Sequence, residues 1–338
     1  MLSSSELSIS VIVPVYNGGS NFRRCLESLA RSQPAPLEAI VVADGDTDGS
    51  GQLAREFATE VLSLSESKGP AKARNLGAQR ARGDILFFID ADVEIYPDTI
   101  AKVAAIFESG PKVAAAIGSY DDAPGATNFL SRYKNLFHHY THQTAAEEAS
   151  TFWGACGAIR REIFWEMGGF DERYRRPCVE DIELGYRLKR AGYGIQLCKA
   201  LQVKHLKRWD VWSLLRADFF YRAIPWTALI LRDRALLNDL NLQYSSRLSV
   251  VLVYGVLASL MAVWFWGAIA LVPVSLLCVA LFILNASVYQ FFYRKCGLIF
   301  TMQVIPWHWF YYFYSGLAFA IGHVRHVLQQ FQLHFEKA

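Results

Sequence analysis

A run of 46 residues without Asp, Glu, Lys or Arg extends from Leu248 to Tyr293. As a single helix it would be about 70 Å long at about 1.5 Å per residue, whereas the hydrocarbon core of a bilayer is about 30 Å thick. One crossing of the core is too short for a helix of that length, whereas two crossings account for it. We therefore predict a two-span helical hairpin that reverses near Trp264 to Gly267, where interfacial aromatic residues meet a glycine. The alternative, a buried hairpin of a soluble protein, would need a very large apolar partner surface.

A second uncharged run, Gly297 to Gly322, contains Pro306, His308 and a dense group of aromatic residues. Two interpretations stay open for it. The run could form a third span, or it could be a re-entrant or interfacial segment. The sequence therefore predicts a membrane region over residues 248–338 with two or three spans.

The charges that flank the first hairpin are basic. Arg232, Arg234 and Arg247 precede it, and Arg294 and Lys295 follow it. Basic flanks are typical of the cytoplasmic side of a membrane, so we expect a multi-pass protein of the cytoplasmic (inner or plasma) membrane whose catalytic domain faces the cytosol.

The sequence also predicts how the soluble part meets the membrane at its C-terminal end and whether a secretory signal lies at its N-terminal end. Residues 208–247 alternate aromatic and basic side chains, which predicts amphipathic interfacial helices; ordinary amphipathic helices packed on the soluble domain are the alternative. At the N-terminus, residues 1–6 have no basic residue ahead of an apolar run, so no secretory signal is predicted.

Charge and cysteine content limit the function of the soluble part. All but one of the 31 acidic residues and all but four of the 34 Lys and Arg residues lie in residues 1–247. This balance of charges argues against a basic surface that binds along a nucleic acid.

The six cysteines form no Cys-x-x-Cys pair, so reduced thiols are expected rather than disulfides or a zinc framework.

Strand-like and helix-like patterns alternate through the first 90 residues. Continuous apolar runs of strand length alternate with helical patterns, and this order predicts an α/β fold with a mostly parallel sheet flanked by helices. Ligands of such sheets bind outside the carboxyl ends of the strands. The predicted strands are 8–15, 37–42, 60–64 and 85–89, and the predicted helices are 22–29, 52–57 and 71–81.

Acidic residues follow two of these strands. The second strand ends at Asp44, and the fourth is followed by Asp90-Ala-Asp92. Two carboxylates that flank one small residue can hold a divalent cation, and that cation can bridge two phosphates of a nucleotide. A solvated acidic turn is the alternative interpretation.

Three further segments carry candidate site residues. Gly69 and Pro70 open a helix whose first turns bear Lys72 and Arg74, which suit phosphate; the alternative is an ordinary helix with Arg74 in a surface ion pair. The small residues of the loop that contains Gly154 and Cys156 allow close approach of a ligand or acceptor. Glu180-Asp181 begins another helix, where acidic residues are also favoured by the helix dipole alone.

Together, these motifs resemble the large family 2 of inverting glycosyltransferases with the GT-A fold, over about residues 8–205. The ordered set consists of Val11-Ile-Val-Pro-Val-Tyr-Asn17, Asp44-Gly45, Ala73-Arg-Asn-Leu-Gly77, Asp90-Ala-Asp92, Gly154, Gly168-Gly-Phe-Asp171 and Glu180-Asp181. The resemblance implies a nucleotide-sugar-binding domain over residues 1–207, ahead of the interfacial and membrane regions.

The resemblance also implies roles for individual residues. Mg²⁺ or Mn²⁺ would be bound by Asp92 with support from Asp90, and His205 could approach the metal or the phosphates. Asp181 would be the catalytic base, and Glu180 would orient the acceptor or Asp181. The residues expected at the base and ribose of the nucleotide are Pro14, Tyr16, Asn17 and Asp44.

The implied reaction moves a sugar from a nucleoside-diphosphate donor to a lipid-linked or glycan acceptor by single displacement with inversion. Two departures from the family pattern matter: Ala43 and Asp46 replace an acid and a serine, and His205-Leu-Lys-Arg-Trp209 only approximates the Gln-x-x-Arg-Trp motif of processive members. The second departure favours single transfer over a processive polysaccharide synthase. Two competing functions are a nucleotidyltransferase and an inactive membrane scaffold built on the same fold.

Overall fold

The computed structural model describes residues 7–58, 60–234 and 239–335. The chain forms two compact units, of which the first ends at Trp209 and the second begins at Asp210. The prediction about a signal sequence concerns residues 1–6, which lie outside the described residues.

The described residues of the N-terminal unit form nine strands in one sheet. They are β1 (Ile9–Val15), β2 (Glu38–Asp44), β3 (Glu60–Leu64), β4 (Ile85–Ile89), β5 (Val93–Ile95), β6 (Ala115–Tyr120), β7 (Glu148–Ala149), β8 (Cys156–Arg160) and β9 (Ile195–His205). The helices of this unit are α1 (Gly19–Ala30), α2 (Ser50–Ala54), α3 (Pro70–Arg80), α4 (Thr99–Ser109), α5 (Phe129–Thr144), α6 (Arg161–Glu166) and α7 (Glu180–Arg190).

The sheet has the order β3-β2-β1-β4-β8-β6-β9-β5, and β7 pairs with β9. Strands β1 to β4 pair in parallel, as the alternating pattern predicts. The second half is mixed, because β8 is antiparallel to both β4 and β6 while β9 is parallel to β6. The predicted α/β class is confirmed, with a mixed rather than uniformly parallel sheet. The last strand, β9, has 11 residues.

The continuous apolar runs of the sequence are explained by helices that cover both faces of the sheet. Val11, Ile12 and Val13 are consecutive in β1 and have no exposed surface, although their side chains point alternately to opposite faces. Helix α3 approaches this strand closely at Gly77, where an added Cβ would lie 2.6 Å from Ile12 Cγ2. This close contact fixes the position of α3 against β1.

The C-terminal unit begins with a helical segment and continues into an apolar hairpin. Its first part contains α8 (Val211–Arg216), a π-helical turn at Ala217–Ala223 and α9 (Ile224–Asp233). Trp212 and Phe220 are exposed on this part, and Asp218 is buried and accepts a 2.9 Å hydrogen bond from Tyr314 Oη. A short 3₁₀ turn at Leu240–Leu242 precedes the hairpin.

The hairpin consists of α10 (Tyr244–Trp266) and α11 (Leu271–Leu284), joined by a 3₁₀ turn at Gly267–Ala270. Gly267 has φ +62°, which ends α10 at the predicted reversal. The helices fold back on each other: an added Cβ on Gly255 would lie 3.3 Å from Leu277 Cδ1, and Asn285 Nδ2 donates to Ser249 Oγ at 2.9 Å.

The second uncharged run lies in α12 (Ala286–Phe335), which has a kink at Gly297 with φ +81°. This helix contacts the hairpin, because Tyr254 Oη donates to Phe313 O at 3.0 Å and Tyr312 Oη donates to Asn285 Oδ1 at 2.8 Å. Among the described residues, one helical segment, Tyr244–Leu284, is long and apolar enough to cross a membrane, with a mean hydropathy of 2.7. The number of spans stays a prediction.

Candidate active site

Asp44, at the end of β2, holds the loop that leads into α3. Its Oδ2 accepts from Ser67 Oγ at 2.8 Å and from Gly69 N at 2.9 Å, while Oδ1 accepts from Lys68 N at 2.7 Å. The residue is only 4% exposed. Gly45 has φ +70°, and an added Cβ would lie 2.4 Å from Ser67 N. The predicted nucleotide-binding carboxylate is therefore engaged by three donors of its own chain.

The loops after β1 and β2 are tied together by short polar side chains. Asn17 Oδ1 accepts from Thr47 N at 2.8 Å, and Asp48 Oδ2 accepts from Gly19 N at 3.0 Å. Of the other residues predicted at the nucleotide, Pro14 is half-buried in β1 and Tyr16 is 58% exposed. The ring of Tyr16 is thus available to a ligand beside a rigid pair of loops.

The guanidinium of Arg74 lies between two carboxylates. Nη2 donates to Asp90 Oδ1 at 2.7 Å, and Nη1 donates to Glu180 Oε1 at 2.8 Å. Arg74 is 4% exposed. The sequence predicts that Arg74 faces nucleotide phosphate; the structure shows a buried guanidinium bound to two acids, and a phosphate contact stays a prediction. The alternative, a surface ion pair of Arg74, is not observed, because Arg74 is buried.

The pKa values of this cluster follow from burial and mutual charge. Burial alone would lower the pKa of Arg74, but Asp90, Glu180 and Asp181 raise it above its ordinary value. Burial raises the pKa of Asp90, and Arg74 opposes this effect. Arg74 therefore stays a cation among these acids.

Asn75, the next residue of α3, holds the Gly168-Gly-Phe-Asp171 loop. Its Nδ2 donates to Phe170 O and its Oδ1 accepts from Phe170 N, both at 2.8 Å. Lys72 lies one turn earlier and forms an ion pair with Glu172, with Nζ 2.9 Å from Oε2. The predicted phosphate ligand Lys72 is thus engaged by an acid, although its side chain is 39% exposed.

Asp92 and His205 face each other across the β5–β9 pairing. His205 Nε2 lies 3.7 Å from Asp92 Oδ2, and the two side chains are 8% and 29% exposed, respectively. Burial acts to raise the pKa of Asp92, but His205 and Lys207 outweigh it and hold the pKa below its ordinary value. The carboxylate is therefore ionised at neutral pH.

This pair can be tested as a cation site by its donor chemistry. The predicted trio of Asp90, Asp92 and His205 is not formed: no three His, Cys, Asp or Glu side chains cluster suitably in the described ranges, and Arg74 binds Asp90. Mg²⁺ is commonly held by one or two protein ligands together with substrate phosphates. Asp92 and His205 fit a cation that takes its remaining ligands from a diphosphate.

The two acids at the start of α7 have different environments. Asp181 Oδ2 accepts from Gly154 N at 3.0 Å and Oδ1 accepts from Ile182 N at 2.8 Å, and the side chain is half-buried. Glu180 is 4% exposed and also accepts from Cys178 N at 2.9 Å. The half-buried Asp181 side chain can therefore contact a ligand, whereas Glu180 is bound to Arg74 in the buried cluster.

Gly154 and Cys156 differ in what they can contact. Gly154 is buried against Arg74, whose Cζ would lie 3.0 Å from an added Cβ, and its backbone N–H is the donor to Asp181. Cys156 has no exposed surface in β8, and burial raises the pKa of its thiol. The prediction that Cys156 contributes to an acceptor loop therefore requires correction, because its side chain belongs to the core.

Comparison with known proteins identifies the family. The family described as "Glycosyl transferase family 2" matches residues 10–168. The succinoglycan biosynthesis protein ExoA from Rhizobium meliloti (strain 1021) is 33% identical over 236 residues, which cover 65% of this chain and 70% of ExoA. The chain belongs to the family 2 glycosyltransferases. Asp181 and His205 of this glycosyltransferase lie beyond the residues that the family match covers.

Two further similarities concern parts of this family 2 glycosyltransferase. The uncharacterized glycosyltransferase YibD from Escherichia coli (strain K12) is 39% identical over 100 residues, which cover 28% of this chain and 29% of YibD. The chain thus spans less than a third of the length of YibD. The mannosyltransferase PcManGT from Pyrobaculum calidifontis, solved with GDP-Man and Mn²⁺, has a TM-score of 0.60 at 17% identity, with coverage of 96% of this chain and 88% of PcManGT. This likeness supports the GT-A-like fold.

Proposed function

We propose that this glycosyltransferase moves a sugar from a nucleoside-diphosphate donor to an acceptor at a membrane, by single displacement with inversion. One observation carries the proposal. Arg74 joins Asp90, two residues before Asp92, to Glu180, the neighbour of Asp181. The candidate cation ligand and the candidate base are therefore held at the same end of the sheet by one buried cation.

The donor side is assigned to Asp92, His205 and the loop after β1. Asp92 and His205 would hold Mg²⁺ or Mn²⁺, which when bound stabilises the negative charge of a departing diphosphate. Asn17 and the exposed ring of Tyr16 would border the nucleoside. The GDP-Man and Mn²⁺ named for PcManGT support a nucleotide sugar and a divalent cation as ligands of this chain as well.

The acceptor side is assigned to Asp181. Its carboxylate accepts from the N–H groups of Gly154 and Ile182, which fix its direction, and a carboxylate can accept more hydrogen bonds than these two. Asp181 would take the hydroxyl proton as the acceptor oxygen attacks the anomeric carbon from the face opposite the diphosphate. A single base suffices, since inversion needs no covalent intermediate. A phosphate acceptor would need no deprotonation, and Asp181 would then position it.

The C-terminal unit supports a membrane location for the reaction. We propose that residues 208–247 lie at the interface and that residues 248–338 anchor the chain, with the basic residues beside the hairpin on the cytoplasmic side. The apolar segment Tyr244–Leu284 supports this assignment. An acceptor that is lipid-linked or displayed at the membrane surface follows from such an anchor.

The proposal is tested by incubating the detergent-purified full chain with UDP-, GDP- and dTDP-sugars, with and without Mn²⁺. We expect cation-dependent release of the nucleoside diphosphate from one class of donor and, with an acceptor, a single added sugar of inverted anomeric configuration. A ladder of products would favour a processive synthase. Release of pyrophosphate would favour a nucleotidyltransferase, and failure to consume any donor would contradict the proposal.

A further inference from the structure

Three rings that touch one another lie beside the proposed catalytic groups. The ring centroids of Tyr120 and His138 are 4.5 Å apart, those of His138 and Trp153 are 4.7 Å apart, and those of Tyr120 and Trp153 are 4.8 Å apart. All three side chains are half-buried. We refer to Tyr120, His138 and Trp153 as the aromatic triangle.

The aromatic triangle connects the cation side of the site to the base side. Tyr120 stacks on His205 with centroids 4.3 Å apart and an interplanar angle of 10°, and His205 faces Asp92. Trp153 directly precedes Gly154, whose N–H donates to Asp181 at 3.0 Å. An acceptor that reaches Asp181 would lie close to Trp153, because the N–H that holds the Asp181 carboxylate belongs to the next residue, Gly154.

Buried neighbours hold the three rings in place. His139 Nδ1 lies 2.7 Å from Tyr120 O, which fixes the backbone that carries Tyr120. His142 is 5% exposed and contacts both His138, at 4.0 Å between centroids, and Trp153, at 5.3 Å. The triangle is therefore preorganised, and a ligand that packs on it loses little free energy to ordering side chains.

The two basic side chains predicted to bind phosphate, Lys72 and Arg74, each form ion pairs with acids. The Arg74 guanidinium is bound to Asp90 and Glu180, and Lys72 is paired with Glu172. Phosphate groups are recognised by such cations, whereas ring faces pack against the apolar C–H face of a pyranose. The three residues of the aromatic triangle are half-buried and keep part of their surface exposed, and the two basic side chains considered for phosphate are already paired with acids.

We propose that the aromatic triangle is an acceptor subsite for a pyranose ring, with Trp153 as a specificity-determining residue. The inference rests on the proposed function and narrows its acceptor to a sugar hydroxyl rather than a lipid phosphate. In the reaction the acceptor oxygen forms a bond to the anomeric carbon, and the bond from that carbon to the diphosphate oxygen breaks. The bonding pair leaves with the diphosphate, and Asp181 takes the hydroxyl proton.

The experiment measures transfer by the full-length enzyme to octyl glycosides of glucose, galactose, mannose and N-acetylglucosamine, with polyprenyl phosphate as the competing acceptor. For Trp153→Ala we expect the KM of an active glycoside to rise about ten-fold, with the donor KM and acceptor-free donor hydrolysis within about two-fold of wild type. Trp153→Phe should recover most of the loss. Trp165→Ala removes a partly exposed tryptophan of α6 and should change neither KM.

His138→Ala provides a second variant if Trp153→Ala fails to fold, as judged by thermal unfolding with and without nucleotide, and we expect the same selective rise in acceptor KM. Two outcomes would overturn the inference and leave the proposed function standing: an unchanged glycoside KM in both ring variants, or glycosylation of polyprenyl phosphate with no transfer to any glycoside. Absence of donor turnover in wild type would overturn both. Soluble methyl glycosides distinguish recognition of the sugar from recognition of the octyl chain.

Discussion

Arg74 and Glu180 form a buried ion pair in which Nη1 lies 2.8 Å from Oε1 and 5% of each side chain is exposed. Asp90 shares the same guanidinium at 2.7 Å. The start of α7 is thereby tied to the end of β4 through α3. This connection links the segments that carry Asp181, the residue after Glu180, and Asp92, two residues after Asp90.

Replacement of Arg74 should be strongly destabilising. Arg74→Met leaves Asp90 and Glu180 without their shared cation, and removal of one partner of a buried ion pair costs about 3–5 kcal/mol. Arg74→Lys should recover only part of this loss, because an ammonium cannot present two fixed donors to two carboxylates. Urea unfolding of the detergent-solubilised chain measures the effect. Arg80→Met, at a 60% exposed side chain of the same helix, is the control and should change stability by less than about 0.5 kcal/mol. Equal stability of the Arg74 and Arg80 variants would contradict this account.

Asp44 should act on stability through the loop before α3. Asp44→Asn replaces one acceptor oxygen by an amide and removes the charge that three donors share, so we expect a loss of about 1–3 kcal/mol. The measurement is the same unfolding experiment, with Asp98→Asn at a 59% exposed side chain as the control. Full stability combined with lost nucleotide affinity would instead assign Asp44 to direct nucleotide contact.

Asp92 should govern the cation. Asp92→Asn removes the ionised oxygen opposite His205, so we expect Mn²⁺ affinity in the presence of a nucleoside diphosphate to fall at least ten-fold while the fold is retained. Isothermal titration and the Mn²⁺ electron paramagnetic resonance signal measure binding without reference to activity. Asp98→Asn again serves as the control. Unchanged Mn²⁺ binding and turnover would show that Asp90-Ala-Asp92 is a solvated turn.

Asp181 should affect chemistry and leave donor binding intact. Asp181→Asn keeps the size of the side chain and an oxygen for the Gly154 N–H, but the amide cannot accept the acceptor proton. A positioned base typically contributes about 10²- to 10⁴-fold, so kcat should fall by that factor while the donor KM barely changes. Near-full turnover with a hydroxyl acceptor would refute the base assignment. If turnover persists only with a phosphate acceptor, Asp181 acts in positioning.

Both ends of the hairpin should lie on the cytoplasmic side. Helix α10 has 23 residues and is about 34 Å long, enough to cross the hydrocarbon core once. Single cysteines can be introduced as Tyr244→Cys and Tyr293→Cys, at exposed positions, after serine replaces the four partly exposed natural cysteines, Cys178, Cys198, Cys278 and Cys296. An impermeant thiol reagent applied to intact cells should label neither site.

The reversal of the hairpin gives the matched control for this labelling. Trp264→Cys, at a 90% exposed position near the tip, should react from outside. Labelling of Tyr244→Cys and Tyr293→Cys from opposite sides of the membrane would contradict a two-span hairpin.

Local patterns in the sequence were sufficient for the parallel half of the sheet and for the reversal at Gly267. Strands β1, β2 and β4 are mostly apolar runs because helices cover both faces of the sheet, whereas β3, at the edge of the sheet, is only partly buried. The candidate metal ligand Asp92 and the candidate base Asp181 were also accessible to prediction, since each lies in a short motif of the family that the chain resembles.

The sequence by itself determined the α/β class, the alternation of the first strands and helices along the chain, the apolar hairpin and the motif residues, because these features depend on neighbouring positions. Only the tertiary structure decided which charges neutralise each other and which rings meet. Arg74 reaches Glu180 across 106 residues, and Tyr120 stacks on His205 through the β6–β9 pairing. Cys156 is in the core because β8 lies between β4 and β6. Such contacts depend on strand order and on the burial of both partners, and neither is encoded in the spacing of residues along the chain.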